Sequence, residues 1–190
     1  MPRAPRWSPQ SPTCLPTSEM KMHLAVYRQR PDVQALVHAH PPTATGFATS
    51  RIRLDQDVIL PEAVFGLGRI GFSEYGTPTT EQVPEAVSRE IAACDALLLA
   101  NHGALTVGAS VMQAYYRMET LEMCARIRLV TNQLGGPAAL SEPEIEELFQ
   151  IRQQRGWGGS PAPEVDPRAE ELISQAVLQV LQAQGVGSRC

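Results

Sequence analysis

The segment that most constrains the fold is residues 95–108, "DALLLANHGALTVG". Two short apolar runs flank a polar turn at residues 101–103, a pattern typical of two consecutive strands joined tightly. A long amphipathic helix is predicted over residues 110–135, where a pair of glycines ends it. A third buried strand, "VQALVHAH" at residues 33–40, lies upstream between further helical patterns. Strands that alternate with helices predict an α/β layered domain.

Proline and glycine divide the rest of the chain. Residues 1–16 hold five prolines and no hydrophobic period, so we expect a disordered N-terminus. The folded domain is predicted for residues 17–156, followed by a Gly/Pro/Ser-rich linker at 157–168. A final amphipathic helix is predicted for residues 169–190. The whole chain of 190 residues fits one domain with a helical appendage.

Charge and hydropathy exclude several classes of protein. The net charge is −4 and no block of lysine and arginine occurs, so we expect neither a nucleic acid nor an anionic membrane as partner. The longest apolar runs fall far short of the roughly 20 residues that a membrane span needs. No secretory apolar region follows the first Met, which predicts a cytoplasmic protein. The four scattered cysteines indicate reduced thiols.

Three histidines form a candidate metal site. His38 and His40 occupy positions i and i+2 of a predicted strand, so they share one face with Cβ atoms roughly 7 Å apart. His102 lies in the "NHG" turn and is the natural third ligand, and Glu19 at the start of a helix is a possible fourth. A His-x-His pair alone is only moderately specific, because isolated histidines are more often surface or core residues. The residues by themselves leave both interpretations open.

Four segments together resemble the class II aldolase/adducin family over roughly residues 16–136. They are "TSEMKMHLAVYRQRPDVQALVHAHPPTATGFA", "LPEAVFGLG", "FSEYGTPTTEQV" and "DALLLANHGALTVGASVMQAYYRMETLEMCARI". The L-fuculose-phosphate-type aldolases are the members that the motifs most suggest. The resemblance implies a layered αβα domain with a central mixed β-sheet, followed by C-terminal helices. It also implies a homotetramer with sites between subunits.

The resemblance implies a ligand set as well. In the family, the His-x-His pair and the later histidine bind zinc, which corresponds to His38, His40 and His102 here. The glutamate that opens the first helix is a movable zinc ligand and an acid/base group, which corresponds to Glu19. Imidazole sites also accept Mn²⁺, Co²⁺ or Ni²⁺, so the resemblance does not select one metal.

The remaining site residues are those that would handle the substrate. The family's hydroxyl groups just before the glutamate hold the substrate phosphate, which corresponds to Thr17 and Ser18. Family aldolases can relay a proton through a tyrosine of a neighbouring subunit, and Glu62 in "LPEAV" is the substitute we expect here. The family's segments before the first helix, with Gly-Asn and Thr-Pro-Ser-Gly motifs, do not occur. Either the chain is an N-terminally truncated product or it is a divergent member that lost this subdomain; we favour truncation, with activity impaired as a result.

The implied reaction is a zinc-dependent aldol cleavage. A ketose 1-phosphate resembling L-fuculose 1-phosphate would split into dihydroxyacetone phosphate and an aldehyde through a metal-stabilised enediolate. A sugar-phosphate 4-epimerase or a dehydratase would use related chemistry at the same site. An adducin-like assembly module without catalysis is the alternative from another class.

Overall fold

The computed structural model describes residues 17–55 and 58–157. That part of the chain contains six α-helices, four strands and one short 3₁₀ turn. In chain order they are α1 Met20–Gln29, β1 Ala35–Ala39, α2 Pro42–Ser50, α3 Pro61–Leu67, β2 Ile70–Ser73, α4 Gln82–Glu90, the 3₁₀ turn Ile91–Ala93, β3 Ala96–Leu99, β4 Gly103–Gly108, α5 Val111–Gln133 and α6 Glu142–Gln154. The predicted disordered N-terminus, nearly all of the linker and the C-terminal helix lie outside the described residues.

The four strands form one mixed sheet in the order β1-β4-β3-β2. β4 pairs antiparallel with both β1 and β3, whereas β2 pairs parallel with β3. The predicted hairpin is therefore present, and the distant strand β1 pairs with its second arm. Along β3 the side chains alternate: Ala96 and Leu98 belong to one core cluster, Leu97 and Leu99 to the other, as the period of two requires.

Helices cover both faces of the sheet. On one face, α2, α3 and α5 bury a cluster that includes Ala44, Phe47, Ala48, Leu67, Met118, Leu121, Cys124 and Ala125. On the other face, α1, α4 and the 3₁₀ turn bury Met22, Val26, Val83, Val87 and Ile91. The αβα layering that the resemblance implied is confirmed. Cys94 and Cys124 are buried free thiols, as core cysteines are expected to be.

The two C-terminal helices of the described region begin with strong caps. The Ser110 hydroxyl accepts a hydrogen bond from the Gln113 N–H at 3.2 Å, which starts the predicted long helix α5. Ser141 and Glu144 form a capping box at the start of α6. Gly135 and Gly136 have φ values of 107° and 108°, a conformation that ends α5 and that residues with a Cβ rarely adopt.

Two short elements occur between residues 58 and 76. They are the helix α3 and the edge strand β2, which pairs with β3. Glycine weakens β propensity, yet Gly71 is required because a Cβ there would lie 2.7 Å from both Cys94 Sγ and a methyl group of Leu97. Tertiary packing therefore selects a strand that local propensity does not predict.

A buried ion cluster joins the helices to the sheet. Asp95, 8% exposed, lies just before β3. Its carboxylate binds Arg30 at 2.9 Å, Arg117 at 2.8 Å and Arg152 at 3.3 Å. Arg30 follows α1, while the other two arginines belong to α5 and α6. One carboxylate therefore connects helices of both layers to the start of a central strand.

None of the helices described in residues 17–55 and 58–157 has the length and apolar character needed to cross a membrane.

The ion cluster predicts a large effect of one isosteric substitution. Asp95→Asn should lower the free energy of unfolding by about 3–5 kcal/mol, because the buried guanidinium groups of Arg117 and Arg152 would lose the counter-charge that they share, whereas Arg30 keeps its pair with Asp32. Urea unfolding of the full chain measures this. As a control, Glu81→Gln breaks the exposed pair with Lys21 and should cost less than about 1 kcal/mol. Equal losses in the two variants would contradict a special role of Asp95.

Candidate metal centre

The pairing of β1 with β4 brings the three sequence-predicted histidines together. In this register His38 faces Leu105 and Ala39 faces Ala104, so His40, the next residue, lies at the level of Gly103. His102 immediately precedes Gly103 in the turn between β3 and β4. Two histidines from one strand end and one from a hairpin turn thus meet at the same end of the sheet.

The three imidazole rings are mutually close. Their centroids are 5.1 Å apart for His38 and His40, 4.9 Å for His38 and His102, and 5.1 Å for His40 and His102. One ring nitrogen from each lies within 4.8 Å of the others. His38 and His102 are half-buried and His40 is exposed. The arrangement is open on the solvent side, as a site with an exchangeable position requires.

The backbone of the turn determines how closely the rings approach. The His102 N–H donates to the Leu99 carbonyl at 3.0 Å, and Asn101 adopts a left-handed conformation with φ of 56°. Asparagine tolerates this conformation better than most residues. A Cβ on Gly103 would lie 2.5 Å from His40 Cδ2 and 2.7 Å from the Ala39 carbonyl oxygen. Glycine after His102 is thus required for the His40 ring to pack against the turn, a requirement that our sequence analysis did not identify.

The tautomer of His38 follows from its hydrogen bond. His38 Nδ1 lies 2.9 Å from the carbonyl oxygen of Ala104. A carbonyl oxygen only accepts, so Nδ1 carries the proton and donates it. The lone pair of Nε2 is therefore free, and the hydrogen bond holds the ring orientation in the way that protein carbonyls orient ligating histidines.

Glu19 lies beside this cluster, and its side chain does not cap the helix that it precedes. It occupies the N-cap position of α1, but its side chain makes no capping hydrogen bond. Its negative charge acts to raise the pKa of His38, His102 and His23, in each case against the larger effect of burial. Glu19 is not among the ligand atoms that converge within 4.8 Å. It is a neighbouring carboxylate in this structure, and its role as a ligand remains a prediction.

The predicted phosphate-binding residues are exposed. Thr17 and Ser18 lie just before α1, with accessible side chains. The Thr17 hydroxyl accepts a hydrogen bond from the Glu19 N–H at 3.3 Å, and its carbonyl accepts one from Met20 at 3.1 Å. These contacts form a local turn that holds Glu19 ahead of the helix. Their role toward a substrate remains a prediction.

Glu62 is not part of the histidine cluster. It is exposed in the first turn of α3, and its charge, after burial, contributes to raising the pKa of Cys124 to about 11. A mostly apolar cavity of about 320 Å³, lined in part by Ala63, Cys124 and Phe149, lies on that side of the domain. None of the three histidines lines this cavity. The apolar walls of this cavity differ in chemistry from the imidazole cluster. The proton-relay role of Glu62 remains a prediction.

The donor set fits a divalent transition metal. Three imidazole nitrogens that lie within 4.8 Å of one another, with a carboxylate beside them, match the ligand types of catalytic zinc sites, in which a fourth position stays open. The same nitrogen donors suit manganese, cobalt and nickel. His38, His40 and His102 would hold the ion, and the donor set does not distinguish among these metals.

Comparison with known proteins identifies the family. A sequence profile of the Class II Aldolase and Adducin N-terminal domain matches residues 6–129. The match covers more than half of the chain and contains every residue of the predicted site. The chain therefore belongs to the class II aldolase and adducin family. The match begins and ends earlier than the 16–136 segment expected from the motifs.

Several relatives are named for sugar-phosphate chemistry. The chain is 35% identical over 143 residues to a 5-deoxy-D-ribulose 1-phosphate aldolase of Bacillus thuringiensis, covering 75% of this chain and 65% of that protein. It is 34% identical over 122 residues to an L-fuculose phosphate aldolase of Methanococcus maripaludis, covering 63% and 64%. It is 31% identical over 115 residues to a 3-oxo-tetronate 4-phosphate decarboxylase of Escherichia coli, covering 59% and 54%. The chain thus spans less than two thirds of the length of these relatives.

A solved structure agrees with the fold. A structure of an L-fuculose 1-phosphate aldolase superposes with a TM-score of 0.64 at 30% sequence identity, covering 73% of this chain and 65% of that one. The fold of the described domain is thus that of class II aldolases, in agreement with the expectation from sequence.

The histidines predict a pH dependence of the metal-free protein. Burial is the main cause that lowers the pKa of His38 and His102 below the ordinary value of 6.5. Between 6.5 and the lower folded-state values the unfolded chain binds more protons, so the free energy of unfolding should fall as the pH drops below 6.5.

Urea unfolding with a chelator present, compared at about pH 7.5 and about pH 5.5, measures this dependence. Carboxylates also titrate near the lower pH, so the comparison needs a variant. His38→Gln should reduce the loss of stability on acidification, because one imidazole with a lowered pKa is gone. The same loss in wild type and variant would contradict the expectation.

Proposed function

We propose that this protein is a metal-dependent aldolase that cleaves a ketose 1-phosphate into dihydroxyacetone phosphate and an aldehyde. The observation that carries the proposal is the convergence of the three imidazoles of His38, His40 and His102 beside the free carboxylate of Glu19. The aldolases among the relatives support the reaction class. A substrate that resembles L-fuculose 1-phosphate is the specific candidate.

Zinc is the proposed metal, held by the three histidines, with Glu19 as an exchangeable fourth ligand. A bound divalent ion would supply a positive charge that polarises the substrate carbonyl and stabilises negative charge on its oxygen. Neutral imidazoles suit this task because they leave the charge of the ion undiminished. The hydrogen bond from His38 Nδ1 to the Ala104 carbonyl orients the ring and leaves Nε2 as the nitrogen that would bind the ion.

Aldol cleavage requires two proton transfers. A base takes the proton of the hydroxyl group that becomes the aldehyde oxygen, and the carbon–carbon bond breaks, leaving its electron pair on the carbon next to the carbonyl. An acid then protonates that carbon to give dihydroxyacetone phosphate. We assign the protonation at carbon to Glu19, because its side chain makes no capping bond that would restrain it. Glu62 is the proposed relay at the aldehyde oxygen.

The substrate phosphate is proposed to bind at Thr17 and Ser18. Their side chains are exposed next to Glu19 and can donate hydrogen bonds to phosphate oxygens. The Thr17 hydroxyl already accepts the Glu19 N–H, so its own proton is available for donation. Because the chain spans less than two thirds of its relatives' length, the phosphate site and the whole activity are proposals.

A homotetramer in the cytoplasm is the proposed quaternary state and location. On the outer face of α5, Met112 is 53% exposed, Tyr116 57% and Val130 51%. Large apolar side chains on one helix are typical of surfaces that pack against another subunit. The proposal includes the contribution of neighbouring subunits to each site.

A decarboxylase is the second candidate function. The relative from Escherichia coli is named as a decarboxylase of a 3-oxo acid phosphate. Loss of carbon dioxide from such an acid leaves an electron pair on the carbon next to a carbonyl, as aldol cleavage does, so one site could serve either reaction. Epimerase, dehydratase and adducin-like assembly functions are further alternatives within the family.

The metal site predicts a stoichiometry. Full-length protein reconstituted with Zn²⁺ should hold about one ion per chain. His38→Ala should hold much less, because one of three converging nitrogens is lost. Elemental analysis after gel filtration measures the content. His23→Ala is the matched control, since His23 lies outside the cluster of ligand atoms, and it should keep the wild-type content. No ion in wild type, or an equal content in His38→Ala, would exclude the metal-dependent enzyme.

The reaction predicts a product and a dependence on Glu19. Wild type with L-fuculose 1-phosphate should release dihydroxyacetone phosphate, detected with a coupled reductase. Glu19→Gln should lower kcat by about 10²–10⁴-fold, as expected for loss of an acid/base group. Glu81→Gln, an exposed glutamate elsewhere, should not. Carbon dioxide release from a 3-oxo acid phosphate without aldol cleavage would favour the decarboxylase instead.

A further inference from the structure

Helix α2 begins two residues after His40 and has no cap of its own. Its N-cap residue is Pro41, whose side chain has no oxygen to accept a hydrogen bond. Pro42 suits the first helical position because it has no N–H to satisfy. The N–H groups of Thr43 and Ala44 follow, and at a helix start such groups need an acceptor from elsewhere.

Glu122, in the middle of α5, supplies that acceptor. Its two carboxylate oxygens each accept from the Thr43 N–H at 3.1 Å, and Oε2 accepts from the Ala44 N–H at 2.8 Å. The Glu122 side chain is 14% exposed, and Arg126 on the next turn binds it at 2.9 Å. A carboxylate at a helix N-terminus is also favoured by the helix dipole. These hydrogen bonds therefore join residues that are 78 and 79 positions apart in the sequence.

This contact bears on His40 in particular. The His38 ring is held by the Ala104 carbonyl, but within residues 17–55 and 58–157 the exposed His40 ring has no hydrogen-bond partner. Apart from its packing against the turn at Gly103, the position of this ring depends on the His40 backbone. On one side the β1–β4 pairing ends at Ala39 and Ala104, and on the other side α2 begins. Glu122 holds the start of α2, on the second of these two sides of His40.

We propose that Glu122 is a positioning residue of the metal centre: by capping α2 it holds the backbone of His40 so that its ring meets those of His38 and His102. The proposal rests on the proposed metal-dependent function. Glu122 is not itself among the converging ligand atoms. It acts through the short connection formed by Pro41 and Pro42. The proline rings limit φ, so this connection has few alternative backbone conformations.

The test is a metal titration of full-length variants. Zn²⁺ is titrated in competition with a chromophoric chelator. Glu122→Ala should bind Zn²⁺ about ten- to hundred-fold more weakly than wild type, the range typical for residues that orient metal ligands. Glu119→Ala is the matched control: it lies on the same helix, is exposed and bonds Tyr115, so its affinity should equal that of wild type.

A second pair of variants separates positioning from general stability. Glu122→Gln keeps one carbonyl oxygen as acceptor and should bind Zn²⁺ with intermediate affinity. Arg126→Met removes the ion pair but leaves the cap, and should stay near wild type. Hydrogen exchange at the Thr43 and Ala44 amides should be faster in both Glu122 variants. A lower Tm of the Glu122 variants with unchanged Zn²⁺ affinity would overturn the proposal.

The outcomes distinguish this inference from the proposed function. If wild type binds Zn²⁺ but cleaves no ketose phosphate, the reaction is wrong while the Glu122 result still decides the positioning role. If wild type and both Glu122 variants bind Zn²⁺ equally, only the positioning role is wrong. If wild type binds no Zn²⁺, both are wrong.

Discussion

A single buried carboxylate connects the parts of this domain. Asp95 lies where a connecting turn enters the central strand β3, and three arginines from different parts of the chain share its charge. The guanidinium groups of Arg117 and Arg152 also donate to backbone carbonyls of Gly66, Val64 and Phe65, so α3 belongs to the same network. A buried charge is costly unless it is fully partnered, so packing that keeps the arginines at Asp95 is favoured over packing that separates them from it.

The histidine site depends on a different part of the same sheet. β4 lies between β1 and β3, and its antiparallel pairing with both carries the end of β1 to the β3–β4 turn. A shift of one residue in the β1–β4 register would move His38 to the opposite face and separate the cluster. Buried side chains on both faces resist such a shift, so the core that stabilises the sheet also maintains the geometry of the site.

Much of the fold could be predicted because its signals are local. The hairpin at residues 95–108 and the long helix α5, which a pair of glycines ends, follow from hydrophobic periodicity and from turn residues. The strand β2 and the helix α3 could not be predicted with the same clarity, since a strand with glycine at its centre depends on a neighbour that fills the space. The arginine partners of Asp95 are 22 to 65 residues away, and no periodicity connects them.

For the site, the sequence by itself determined which candidate ligands are present: a His-x-His pair at a strand end, a third histidine in a tight turn, and a glutamate before a helix. Their order and spacing were enough to indicate the family. Only the tertiary structure decided that three rings lie about 5 Å apart, that His38 offers Nε2, that Gly103 leaves room for His40, and that Glu122 caps the helix beside it. The physical reason is that strand register and helix docking are set by long-range burial and hydrogen bonding, which link residues that are distant in the chain.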